Sequence, residues 1–103
     1  MGYKYIIIRK GNQELPIIFP DSMVHKLVFQ AIRAMTRAEL RMMAPMLSEE
    51  ALTKGAKSVE IVSAGSITFD VGTVDGFSET LGVKSRPSDG AMIQRFPYTH
   101  GII

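Results

Sequence analysis

The stretch YKYIIIRKGNQELPIIFP, residues 3–20, decides the fold. Along its first seven residues Tyr3, Tyr5 and Ile7 fall on one face, and Lys4, Ile6 and Ile8 on the other. A period of two among β-branched and aromatic residues predicts a strand. Gly11-Asn12 then supplies turn chemistry and residues 15–19 read as a second strand, so the chain opens with a β-hairpin. Pro16 has no N–H to give to a ladder, which places the second strand at an edge or exposes its outer side.

Working outward from the hairpin, the period changes. Asp21 or Ser22 is the predicted N-cap of a helix, because a short side-chain oxygen accepts from the free amides of a first turn. A spacing of about 100° per residue gathers Val24, Leu27, Val28, Ala31, Ile32, Met35, Ala38 and Met42 on one broad face. This helix can run to about Ala44, where Pro45 ends or kinks it; Ser48 then caps a short second helix that closes near Gly55.

From Ser58 the period returns to two. Val59, Ile61 and Ser63 alternate with Glu60, Val62 and Ala64, Gly65 bulges or turns the chain, and Ile67, Phe69 and Val71 continue the pattern. Residues 72–76 read as a hairpin loop and residues 77–84 as a returning strand. Pro87-Ser88-Asp89 opens a short helix with Ala91, Met92, Ile93 and Phe96 on its apolar side, and Pro97 stops it. The expected fold class is α+β. A single domain, residues 1–103, holds an antiparallel sheet of about five strands covered on one face by one long helix, which Pro45 can break, with a short C-terminal helix at the end.

Composition bounds the rest. The chain has 103 residues, 46% hydrophobic and 21% charged, with no cysteine or tryptophan. A chain of this length buries roughly two-thirds of its unfolded surface and needs no metal or disulfide to hold a core. The absence of cysteine excludes disulfides, cysteine–zinc sites and thiol nucleophiles. Wholly apolar runs such as residues 6–8 are far too short for a membrane span, and the N-terminus has no signal-peptide pattern, so a soluble cytoplasmic protein without a membrane partner is expected.

The formal charge of +2 conceals an asymmetry. Residues 1–41 carry seven basic residues against Glu14, Asp21 and Glu39, a balance of +4, and the remainder carries five basic and seven acidic, a balance of −2. Such a division suits an acidic partner, the basic face of one protomer meeting the acidic face of another, or an ordinary solvated surface.

Few residues of the chain point to catalytic chemistry. The two histidines, His25 and His100, exclude a multi-histidine metal site within one chain, and no metal or cofactor is expected. Asp21 and His25, four residues apart, form either a two-ligand pair or a helix cap beside a surface histidine. Serines at positions 63, 66, 78, 85 and 88 lack the G-x-S-x-G elbow of a hydrolase, so no catalytic residue is assigned. The carboxylates Asp70, Asp75 and Glu79 surround a glycine-rich loop, where solvated turn residues are expected. Gly72-Thr73-Val74-Asp75-Gly76 is followed by Phe77-Ser78 in place of the lysine and hydroxyl of a phosphate loop.

The most informative surface is on the long helix. If continuous, it places Lys26, Gln30, Arg33, Arg37 and Arg41 within about 80° of arc, with Phe29, Leu40 and Met43 beside them. Either these apolar residues border a partner-binding strip or they extend the core. Four of the seven methionines, Met35, Met42, Met43 and Met46, lie close together, the composition of an adaptable interface or a homodimer seam. Ser85-Arg86-Pro87 reads as a strand exit, with Asp89 near a helix N-terminus; Arg86 either pairs with Asp89 or reaches a ligand.

The runs SVEIVSAGSITF, residues 58–69, and GFSETLGVKSRPSDGAMIQRF, residues 76–96, resemble small proteins of bacteriophages and prophages. In these a Ser-Ala-Gly strand precedes a Gly-x-Ser-x-x-Leu strand, then Ser-Arg-Pro-x-Asp and a short helix. The opening YIIIRKGNQELPIIFP, leading to His25 on a helix, is similar to their first third. The resemblance implies an accessory protein of phage origin in a bacterial cytoplasm, with no catalytic residues to carry over. The expected function is thus non-enzymatic binding of a host or phage macromolecule, with inhibition of a bacterial defence system one form of it. Nucleic-acid binding through the basic strip is the second reading, disfavoured by the moderate charge and lack of an aromatic platform. A small hydrolase or metal enzyme around His25 and Asp21 is the third.

Overall fold

A computed structural model describes residues 2–11, 13–43, 59–68, 73–78 and 80–95. Pro45, the helix expected between Ser48 and Gly55, Met46, Phe69, Asp70, Val71, Gly72, Glu79, Phe96, Pro97 and His100 lie outside these residues, as does the side chain of Met43.

The opening hairpin forms as read. Strand β1 (Tyr3–Lys10) pairs antiparallel with β2 (Gln13–Pro20), in register from Tyr3 opposite Pro20 to Lys10 opposite Gln13. Gly11 enters the turn at φ 62°, a left-handed conformation that costs a residue without Cβ little. On its other side β1 pairs antiparallel with β3 (Glu60–Thr68), and β3 pairs with β4 (Thr73–Asp75), giving the order β2-β1-β3-β4. Pro16 therefore sits on an edge strand, where its missing N–H leaves no gap in a ladder. The pairing slips between Ile7, opposite Ser63, and Ile8, opposite Ile61. Val62 is the extra residue of this bulge. Two short strands, β5 (Phe77–Ser78) and β6 (Val83–Lys84), make a separate hairpin that packs over β3. Gly65 lies inside β3 where β4 passes so closely that a Cβ would meet the Asp75 carbonyl oxygen.

The fold is α+β, as expected, but the sheet is covered on both faces. Ile6, Ile8, Leu15, Ile17, Phe19 and Ala64 pack with Val28, Ile32 and Leu40 of α1 (His25–Arg33) and α2 (Arg37–Met43). On the opposite face Tyr5, Ile7, Ile18 and Ile67 pack with Ile93 of α3 (Asp89–Arg95). The signal lay in β1 itself: Tyr5 through Ile8 form an uninterrupted buried run, the mark of a strand enclosed on both sides.

The long helix is divided. Thr36 Oγ1 accepts from the Glu39 backbone N–H at 3.1 Å, while the Thr36 N–H donates to Glu39 Oε1 at 3.0 Å. This reciprocal capping box starts α2 as a new helix after α1 stops at the Ala34 C-cap. Thr36-x-x-Glu39 is a local signal that the apolar periodicity masks. The start of α1 also differs from expectation: Val24, with no side-chain cap bond, is its N-cap, and Asp21 and Ser22 belong to the preceding turn.

Candidate functional site

The phase of α1 determines which of its residues face solvent. Its buried face is His25, Val28 and Ile32, whereas Val24, Leu27 and Ala31 from the expected core face are exposed, Leu27 at 61%. Ala38 and Met42 of α2 are exposed as well, Met42 at 83%. On the outer half of α1 two rows run side by side. Lys26, Gln30 and Arg33 form a polar row at helical spacing, and Val24, Leu27 and Ala31 form an apolar one.

The expected strip is thus partly assembled and partly corrected. Lys26, Gln30, Arg33, Arg37 and Arg41 are all exposed, but the first three lie on α1 and the last two on α2, so no single continuous helix aligns them. Leu40 is fully buried in the core beneath the helices and is not available to a partner. Phe29 is half-buried against that core, with the Arg33 guanidinium 5.7 Å from its ring centroid. The apolar border belongs instead to Val24, Leu27 and Ala31.

His25 holds α1 to the sheet. Its ring is buried, edge-on to Phe19 with centroids 5.4 Å apart, and Nε2–H donates to the Gly65 carbonyl at 3.0 Å in the tautomer that satisfies both groups. Burial pushes the imidazole pKa below its ordinary value, and the nearby Lys4 ammonium adds to this, against the opposing effect of the Gly65 bond. His25 is therefore not a surface residue, and its Nε2 is committed to a backbone carbonyl. Among the described residues no group of three or more histidine or acidic side chains could hold a metal ion, and no helix is long and apolar enough to cross a membrane.

Arg86 and Asp89 come together on the opposite face of the sheet. The Asp89 carboxylate, with no solvent exposure, accepts from Tyr5 Oη–H at 2.6 Å, from Arg86 Nε–H at 2.8 Å and from the Arg86 backbone N–H at 2.9 Å. Arg86 also donates from a terminal nitrogen to Glu14 Oε1 at 2.8 Å. Burial alone would raise the Asp89 pKa, but these donors outweigh it and hold the carboxyl below the usual range. Burial and the adjacent Asp89 raise the Tyr5 hydroxyl, which stays protonated. The Ser63 hydroxyl also favours the carboxylate form of Asp89, although among the described residues its buried oxygen makes no hydrogen bond of good geometry. The cluster fastens α3 and the strand exit before it to β1 and β2. Of the two readings of Arg86, the pairing with Asp89 is observed. Tyr5 gave no sequence signal of this role, because its partner lies 84 residues away.

Beside this cluster an open groove of about 900 Å³ runs between the bulge of β3 and the small hairpin, with Val62, Phe77, Val83 and Pro87 among its walls and Lys84 and Arg86 along it. Residues 77–84, expected as one returning strand, are instead the two arms of this hairpin with a turn between them, and Phe77 stands 59% exposed. No family model, curated protein or solved structure matches this chain, so the reading of its surfaces rests on their chemistry.

Proposed function

We propose that this chain is a non-enzymatic accessory protein that binds a host or phage protein through the outer half of α1. The observation that carries this reading is the pairing of two rows on one exposed helix face: Lys26, Gln30 and Arg33 beside Val24, Leu27 and Ala31. Charges steer the encounter and exposed apolar side chains supply the buried area that holds a complex. A surface serving phosphates alone has no use for an exposed Leu27, which favours a protein with an acidic, apolar-centred face over nucleic acid. The resemblance to phage and prophage accessory proteins directs the search to a bacterial host, and inhibition of a defence system is one form this covering action would take.

The test is affinity capture from host lysate with tagged wild-type chain, Leu27→Glu and Lys84→Glu in parallel. A specific protein retained by the wild type and by Lys84→Glu but lost with Leu27→Glu supports the α1 face. Repeated failure to recover any protein, or equal recovery by all three chains, overturns it.

A further inference from the structure

The groove beside the small hairpin carries a second, independent assignment. Its volume of about 900 Å³ falls within the range of sites that enclose a small molecule. Apolar walls come from three places: Val62 at the β3 bulge, Phe77 and Val83 across the hairpin, and Pro87 at the strand exit. Phe77 is a large apolar side chain left mostly in water, although it belongs to a strand.

Among the described residues, the charge that lines the groove is of one sign. Lys84 and Arg86 line it, whereas the carboxylates that balance Arg86 do not: Asp89 is fully enclosed and Glu14 reaches Arg86 from β2. Those two carboxylates use two of the five guanidinium N–H donors and fix the plane of the group, so its remaining donors are held in a set direction. They also offset its charge. Among the described lining residues Lys84 is then the cation that gives the groove its net sign, which suits one negative charge and not a phosphate cluster. We propose that the groove binds a small amphipathic monoanion, with an aromatic or branched apolar body against Phe77, Val83 and Val62 and its anionic group toward Lys84 and Arg86.

The test uses the dye 8-anilinonaphthalene-1-sulfonate, an aromatic monoanion, titrated into the full chain and followed by fluorescence. Its uncharged relative N-phenyl-1-naphthylamine serves as the second probe. The expected result is saturable binding of one sulfonate dye per chain, weakened at least tenfold by Phe77→Ser and by Lys84→Glu. Leu27→Ser, on the far helix, should alter it less than twofold. The neutral probe should lose affinity with Phe77→Ser but not with Lys84→Glu. Circular dichroism of each variant confirms that the exposed substitutions leave the fold intact. Absence of saturable binding, indifference to both groove substitutions, or a loss with Leu27→Ser as large as theirs overturns the proposal. Sedimentation of the same samples adds a further outcome: dye binding that falls as a dimer accumulates would assign the groove to a second copy of the chain instead.

Discussion

The two faces of the central sheet are held down by different physics. Under α1 and α2 the contacts are apolar and broad, from Ile6 and Ile8 through Phe19 to Ile32 and Leu40. Under α3 the apolar patch is smaller, and a buried carboxylate with three donors ties the short helix to the strands. Area burial is tolerant of direction, so helices resting on it can be long, broken or re-phased. A carboxylate network is directional: satisfied, it pins a seven-residue helix in one place, and deprived of one member it leaves buried polar groups unpaired.

The largest effect should come from breaking the polar side. Asp89→Ala leaves Tyr5 Oη and the inner edge of Arg86 without their shared acceptor and is expected to cost roughly 3–5 kcal/mol, the scale for removing one partner of a buried ion pair. Urea denaturation measures this. A loss below 1 kcal/mol would show that α3 is held by its apolar contacts alone. On the other face Leu40→Ala removes a fully buried side chain from a broad core, and about 3 kcal/mol of destabilisation is expected.

Acid should separate the two faces in order. The His25 pKa is depressed in the folded chain, so below its ordinary value of 6.5 the unfolded chain takes up the proton first, and stability falls as pH drops through that range. Asp89 is also depressed, from an ordinary value of 3.8, so the α3 side keeps its full contribution until pH falls below about that value. Hydrogen exchange should therefore show α1 loosening at a higher pH than α3, with the upper slope absent in His25→Phe. Loss of both helices at one pH would contradict this separation. The smallest effect belongs to the break between helices: Thr36→Ala removes one half of the capping box and should cost about 1 kcal/mol, read as a lower urea midpoint.

Legibility in the sequence follows the range of the forces. The hairpin, the edge position of β2, strand β3 and helix α3 were readable because turn glycines, a misplaced proline and the period of two act over a few residues. Thr36-x-x-Glu39 acts over the same distance, yet a sustained apolar period across residues 24–42 suggested one helix where the capping box makes two. Periodicity counts apolar residues without knowing which of two overlapping faces the sheet will accept. His25 entered the core because the Gly65 carbonyl, 40 residues away, meets its ring nitrogen, and that turned Leu27 outward.

The candidate surfaces divide in the same way. Exposure of Lys26, Gln30 and Arg33 on one helix follows from their spacing, but which apolar residues border them depends on the rotation of α1. Arg86 and Asp89 are three residues apart and their pairing is local, whereas the rest of their cluster spans 72 residues to Glu14 and 84 to Tyr5. By itself the sequence determined a cysteine-free α+β domain opening on a hairpin, with a basic first part, because composition, turn chemistry and strand period are properties of neighbouring residues. Only the tertiary structure decided that both faces of the sheet are covered, that His25 is inside and Leu27 outside, and that a groove opens beside Arg86. Each of these depends on which distant group satisfies a buried polar atom or covers an apolar one, and that choice exists only once the chain has folded.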